Sequence, residues 1–299
     1  MCLLGKALFE FTFKRSQAEF KDDSKMAEKL MGKKFPLLCE NTEKCKELLL
    51  AIPHEEVEIK TADGLTLKGW FFNANSNNTI IFVHGYNSFG FRDNSGHGYH
   101  FFNHGYNVLI TDNRAAGESE GTYGSFGIKE SEDTVLWVKY IADRYPNGNI
   151  ALHGTSLGGA TVCFASEKEL PNVKVIVEDC AFTSILEEFY CVAKLFVGFK
   201  PKLLIKSSEK FAKKKLGIDY TTLSPIKSVA NAKYPMMFVH GKDDAFIPCV
   251  SANLLYDACP TEKELLLIDD FGHASSQLAG DDYYKPVFAF VDKYCKNWH

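Results

Sequence analysis

A serine, an aspartate and a histidine, each standing where an apolar run gives way to a loop, are the residues of this 299-residue chain best placed to do chemistry. Ser156 is the centre of Gly154-Thr155-Ser156-Leu157-Gly158, between a strand-like run, Asn149 to His153, and a helix-like run beginning at Gly159. So sharp a strand-to-helix turn holds the serine in a strained conformation and lifts its hydroxyl above the sheet. The flanking glycines are steric: a side chain at Gly154 or Gly158 would collide where strand and helix nearly touch. A serine hydroxyl is a poor nucleophile near neutral pH, so it needs a base to take its proton and a third group to orient that base. Asp244 follows the strand ending at His240, and His273 follows the strand ending at Ile268. In open α/β sheets the ligand site forms at these carboxyl ends.

Each of the three has a rival. A second G-x-S-x-G, Gly117-Glu118-Ser119-Glu120-Gly121, lies beyond a charged loop, Asp112 to Ala116, and is followed by Thr-Tyr-Gly instead of a helical pattern, so Ser119 is not expected to be a nucleophile. Asp243 competes with Asp244, and Asp179, also at a strand end, is expected to hold the next loop. His84, His153 and His240 sit on or against strands and are expected to be structural. Acyl transfer also needs preorganised N-H donors for an oxyanion. Leu157, directly after the serine and at a helix start, offers one, reinforced by the helix dipole.

The elements that must position these residues read as follows. Residues 1 to 52 are helical and charged and end at Pro53; Leu4, Leu8 and Phe11 recur at helical spacing, which predicts an amphipathic helix packed on its own domain. Val57 to Thr61 and Thr66 to Phe72 alternate around Ala62-Asp63-Gly64 and predict a β-hairpin. Continuous apolar strands are predicted at Thr79 to Val83, Asn107 to Thr111, Asn149 to His153, Val173 to Glu178, Pro235 to His240 and Glu264 to Ile268. Helical patterns near Tyr99 to His104, Ile128 to Tyr145, Gly159 to Glu169, Cys249 to Ala258 and Tyr283 to Lys296 alternate with them. This is an α/β chain with a mostly parallel, doubly wound sheet. Ala181 to Ser228 breaks the rhythm; helix-rich and dense in lysine, it reads as a cap inserted over the strand ends.

Taken in order, the motifs resemble the α/β-hydrolase superfamily, and more narrowly its single-domain esterase and prolyl-oligopeptidase-like (serine aminopeptidase-like) branch. The residues that carry the resemblance are His84-Gly85, Asp112-Asn113-Arg114 with Gly117 and Ser119, the elbow at 154–158, His240-Gly241-x-x-Asp244-x-x-Ile247-Pro248, and Gly272-His273, spread over about residues 55 to 299. The resemblance implies an α/β-hydrolase fold of about eight strands at 53–299, with a helical cap at about 181–228 and an N-terminal helical extension at 1–52. It also implies the catalytic set Ser156, Asp244 and His273, a second oxyanion donor at Tyr86 beside Leu157, and a bracing role for the Asp112 element. The expected activity is a serine hydrolase cleaving carboxylic esters of a small-molecule acyl substrate through an acyl-enzyme. A peptidase or amidase of the same branch stands second. Third is a membrane-surface lipid hydrolase that would use the lysine-rich cap and apolar N-terminus, against which a solvated lysine face is preferred. Phe89, Phe182, Phe246 and Ile247 are expected to wall an apolar pocket under the cap.

Composition narrows the classes. A net charge of −4 gives no global positive field for nucleic acid. Nine scattered cysteines, without C-x-x-C or zinc spacing, predict reduced thiols. No metal or organic cofactor is called for, since nucleophile, base and oxyanion donors all come from the chain. The apolar start, interrupted by Lys6 and Glu10, lacks a signal-peptide pattern and is too short to span a bilayer, so a cytoplasmic protein is expected.

Overall fold

A computed structural model describes residues 2–15 and 31–296. The strands form one eight-stranded sheet: β1 (His54–Lys60), β2 (Thr66–Phe72), β3 (Asn78–Val83), β4 (Asn107–Thr111), β5 (Asn149–Thr155), β6 (Val173–Asp179), β7 (Met236–Gly241) and β8 (Lys263–Ile268). Their spatial order is β1-β2-β4-β3-β5-β6-β7-β8. The hairpin β1–β2 and the β2–β4 pair are antiparallel, and all other pairs are parallel. Each predicted strand is present with its ends shifted by at most three residues. Continuous apolar runs such as Thr-Ile-Ile-Phe-Val in β3 are buried throughout because both faces of the sheet are covered. Ile81 and Val83 enter one core layer and Ile80 and Phe82 the other.

Helices α1 (Cys2–Phe13), α2 (Phe35–Leu50), α3 (Gly90–Asn103), α4 (Ile128–Arg144), α5 (Leu157–Ala165), α6 (Ile185–Val197), α7 (Lys202–Leu216), α8 (Pro225–Val229), α9 (Val250–Ala258) and α10 (Asp281–Cys295) cover the faces. Only the end of α3 is legible as a helix in the sequence. Its first turns carry Gly90, Asn94, Ser95, Gly96 and Gly98, poor helix formers that tertiary packing overrides. The glycines are needed there: a Cβ on Gly90 would meet the carbonyl oxygen of Thr111 at 2.9 Å, and one on Gly98 would press on Ile110 and Leu49.

The N-terminal helix turns a different face inward from the one its spacing suggests. Leu4 and Phe11 are exposed, and the buried residues are Phe9 and Phe13. Phe9 and Phe13 stack on each other, and they pack, face-on or edge-on, against Tyr123, Phe126, Phe189 and Tyr220, a set of rings drawn from four separate parts of the chain. Burying each such ring stabilises by roughly 1.5–3 kcal/mol. Gly5 lets α1 lie directly against Ser207 of α7, since a Cβ there would overlap that side chain. Helix α1 is apolar nearly all round, so periodicity alone could not choose its face. Among the described residues no helix is long and apolar enough to cross a membrane.

Candidate active site

Ser156 joins β5 to α5 with φ 58° and ψ −116°, a conformation costly for any residue but glycine. Its N-H donates to the Asp179 carbonyl at 2.8 Å and its own carbonyl accepts from Ala160 at 2.9 Å, so the strain is held by bonds on both sides. A Cβ at Gly154 would overlap the Gly158 carbonyl, and one at Gly158 the Val83 carbonyl. The elbow is closed to any side chain at either glycine.

His273 arrives from the loop after β8 and Asp244 from the loop after β7. His273 Nε2 lies 2.8 Å from Ser156 Oγ, and Nδ1 lies 2.7 Å from Asp244 Oδ2. Asp244 and His273 are buried, whereas Ser156 is only partly covered. The other Asp244 oxygen accepts the N-H groups of Phe246 (2.9 Å) and Ile247 (2.8 Å), which fixes the carboxylate plane. Burial alone would raise the pKa of Asp244, but the facing His273 and His240 hold it well below the usual carboxylate range. His240 is the partner that sequence reasoning missed. Its Nε2 lies 3.2 Å from Asp244 Oδ2 and 2.8 Å from the Ile247 carbonyl, and although burial works against it, Asp244 raises its pKa. The signal was in the sequence, since His240 stands four residues before Asp244 at the end of β7.

Asp243 makes no contact with the histidine; its N-H is bonded to the Phe271 carbonyl. Asp179 supplies the carbonyl that holds Ser156, and its buried carboxyl, pushed up to about 6 by desolvation, faces Tyr283. His84 is fixed between the Gly85 carbonyl (2.8 Å) and the Asn113 N-H (3.0 Å). His153 Nε2 meets the Tyr283 hydroxyl at 2.9 Å, and desolvation lowers its pKa to about 3. His97, His153 and Asp179 could each turn a ligand atom to within 4.8 Å of the others, as could Cys180, Asp244 and His273. In the second group two members already belong to the serine–histidine–aspartate chain.

Among the described residues, no hydrogen bond is formed by the N-H groups of Tyr86 and Leu157, whereas the preceding Gly85 and Ser156 N-H groups donate to Asp93 and to the Asp179 carbonyl. Asp93, which was not legible as a site residue, accepts the Gly85 N-H at 2.7 Å and the Ser88 hydroxyl at 2.5 Å. It thereby sets the 85–88 loop and leaves the Tyr86 N-H to point elsewhere. The Tyr86 ring stacks on Phe126, and its hydroxyl, pushed up to about 12 by burial, donates to the Thr12 carbonyl at 2.9 Å.

A cavity of about 160 Å³ opens beside Ser156 and His273, and its apolar wall corrects the expectation drawn from position. Phe246 lines it, but Phe182, Ile247 and Phe89 do not; Phe35, Leu38 and Thr42 of α2 and Met31 do. Ile247 is instead a core residue, 2% exposed, and Phe182 packs in the same core layer. The pocket therefore lies under the N-terminal segment and not under the α6–α7 insertion. Phe35 and Leu38 belong to the inward face of α2, with Thr42, Cys45 and Leu49, and no periodicity argument says what that face covers.

The Asp112 element braces the neighbouring loop. Its carboxylate accepts the N-H groups of Gly90 and Glu118, both at 2.7 Å, while Arg114 forks onto Asp133 with two bonds of 2.6 Å and reaches Asp63 at 2.9 Å.

Several known proteins are similar to this chain. YqkD, an uncharacterized protein of Bacillus subtilis, is 28% identical over 238 residues, which cover 78% of each chain. The pimeloyl-[acyl-carrier protein] methyl ester esterase of Hamiltonella defensa is 25% identical over 265 residues, 78% of this chain and 93% of that one. The solved structure of the Pyrococcus furiosus esterase Pf2001 superposes with a TM-score of 0.68 at 24% identity, covering 82% of this chain and 93% of that chain. Its shared feature is the fold, the mostly parallel sheet of the α/β hydrolases. Residues 15–200, more than half of the chain, match the model of the X-Pro dipeptidyl-peptidase (S15) family; the protein is thus a member of that family within the α/β-hydrolase superfamily, and a hydrolase.

Proposed function

We propose that the protein is a serine hydrolase that cleaves carboxylic esters of small molecules through an acyl-enzyme, with Ser156 as nucleophile, His273 as base and Asp244 as orienting acid. The observation that carries this reading is the continuous chain from Ser156 Oγ through His273 to Asp244 at 2.8 and 2.7 Å, on a serine held at positive φ. Ser156 Oγ attacks the ester carbonyl carbon as His273 Nε2 takes its proton. The carbonyl oxygen becomes an oxyanion that accepts the N-H groups of Tyr86 and Leu157. Collapse expels the alkoxide, which leaves as the alcohol with the proton from His273 Nε2. Water, deprotonated by the same nitrogen, then releases the acid. Asp244 stays ionised throughout and stabilises the imidazolium.

An amide or peptide substrate is the second reading, favoured by the family's description as X-Pro dipeptidyl-peptidases. Against it, the two acids of the 160 Å³ cavity are engaged: Asp93 on the Gly85 loop and Glu43 with Lys46 at 3.5 Å. A peptide's free amine would lack an evident carboxylate there. Labelling with a fluorophosphonate, read by intact mass and peptide mapping, tests the serine: one adduct on Ser156 is expected, and an unlabelled folded protein would sink the reading. An ester and its matching anilide, compared on the labelled-competent enzyme, then decide the bond, with faster ester turnover expected.

A further inference from the structure

A second chamber, of about 310 Å³, adjoins the first along the 85–88 loop. It opens onto the side of the elbow where Leu157 stands, whereas Ser156 and His273 line only the first chamber. Its charged lining is one-sided: Lys14, Arg15, Arg92 and Arg114 against Glu130, in a chain whose net charge is −4. Three of these charges are already engaged, Arg92, which lines both chambers, among them. Arg114 is consumed by Asp133 and Asp63. Glu130 is wrapped by the N-H groups of Ser125 (2.7 Å) and Gly127 (2.9 Å) and by the Ser125 hydroxyl.

Arg15 is held differently. Its guanidinium donates to the carbonyls of Ser119, at 2.8 Å, and Gly117, and it forms no ion pair among the described residues. Backbone carbonyls fix the fork in place without cancelling its charge, and its remaining N-H donors suit a planar carboxylate or a phosphate. The Gly117–Gly121 loop, whose motif plays no part in nucleophilic chemistry, thus presents a cation to this chamber.

From this layout we infer that the second chamber binds an anionic oxyacid group, a carboxylate or a phosphate, at the far end of the substrate's acyl portion. The inference rests on the serine-hydrolase reading. His273, which protonates the leaving group, faces the apolar chamber, so the alcohol departs there. Of the oxyanion donors, Leu157 lines only the cationic chamber and Tyr86 lines both. With the alcohol in the chamber that His273 faces, the acyl chain, the carbonyl carbon's remaining substituent, extends into the cationic one. The preferred substrates are then ω-acid esters: a short apolar alcohol on a chain that ends in negative charge.

Binding without turnover tests this directly. Calorimetry on Ser156→Ala compares monomethyl adipate with dimethyl adipate, which differ in the one charged end, and methyl 6-phosphonohexanoate separates a carboxylate site from a phosphate-like one. Whichever acid fits should bind at least about tenfold tighter than the neutral diester and lose that margin in 0.5 M NaCl, as a charge-based contact at a partly exposed site requires. Adding Arg15→Met, or Lys14→Met as a second variant, should cut the acid-to-neutral ratio by about tenfold, with circular dichroism verifying the fold. Equal binding of acid and neutral esters, or a ratio unmoved by both variants, overturns the inference. The serine-hydrolase reading would survive that result, because fluorophosphonate labelling of the wild type judges it separately.

Discussion

Two serines in this chain sit in the same five-residue pattern, 37 positions apart, and their surroundings have nothing else in common. Ser156 ends a central parallel strand, carries φ 58° and turns its hydroxyl to an imidazole. Ser119 is 1% exposed, donates to the Asp112 carbonyl at 2.7 Å and accepts the Lys68 N-H at 2.8 Å. In the first motif the glycines let a strand and a helix touch. In the second, Gly117 at φ 49° and Gly121 at φ 122° bend a loop around the Asp112 carboxylate. The spacing G-x-S-x-G therefore specifies a need for small residues, and the elements on either side decide what the serine does.

The contrast breaks if the two serines fail to separate activity from stability. Ser156→Ala should lower ester turnover by about 10⁶-fold, and Asp244→Asn by about 10⁴-fold, as removal of nucleophile or orienting acid does in serine proteases. Stopped assays on purified variants with unchanged circular dichroism would show it, and near-normal turnover in either would refute the roles assigned. Gly158→Ala should cost both quantities. The new Cβ falls on the Val83 carbonyl and 2.9 Å from that of His84, so the elbow must shift. Roughly 1–3 kcal/mol of stability is the expected loss, with turnover down by about a hundredfold as the hydroxyl moves off line. Loss of stability alone would mean that the elbow tolerates displacement.

Acid sharpens the comparison, because Asp244 is a buried carboxylate on the Ser156 side that is held ionised. Its pKa in the folded protein lies below that of the unfolded chain, so the stability it contributes is fully present above about pH 4 and is lost as pH falls further. One proton corresponds to a slope of up to about 1.4 kcal/mol per pH unit in that range. Urea midpoints of wild type and Asp244→Asn, measured at pH 6 and pH 3, should converge at the lower pH. A constant gap would mean that Asp244 does not titrate with unfolding.

Much of this was legible from residue order alone. Strand ends, the elbow and the positions of Asp244 and His273 after β7 and β8 are local features: continuous apolar runs mark strands covered on both faces, and the candidate site falls where they stop. What could not be read is what arrives from elsewhere in the chain. Phe35 and Leu38 wall the cavity from a helix over a hundred residues upstream of the serine, and Thr12 and Arg15 reach the 85–88 and 117–121 loops from the N-terminal segment. Asp93 was hidden inside a glycine-rich stretch whose helix exists only because Ile110, Thr111 and Leu49 pack against it. His240 was visible, but a histidine at a strand end does not declare that it shares the carboxylate of the residue four positions on.

The smallest effect is the most discriminating. Strand β4 ends at Thr111, so on that side β2 has no strand partner beyond Gly69, although β1 still pairs with it on the other. The Lys68 N-H nevertheless points to the β4 side. Ser119 Oγ stands in for the missing carbonyl, and the Lys68 carbonyl is taken by the Asp112 N-H at 2.9 Å. Ser119→Ala would leave the Lys68 N-H and the Asp112 carbonyl without the Ser119 hydroxyl in a buried place, which costs about 1–3 kcal/mol. Turnover per folded molecule should stay within about twofold of wild type, because the Ser119 and Gly117 carbonyls and the elbow keep their positions. A thermal melt beside an active-site titration measures both. If Ser119→Ala instead lost turnover at full stability, the second motif would have to be taking part in the reaction, and the division drawn between the two serines would fail.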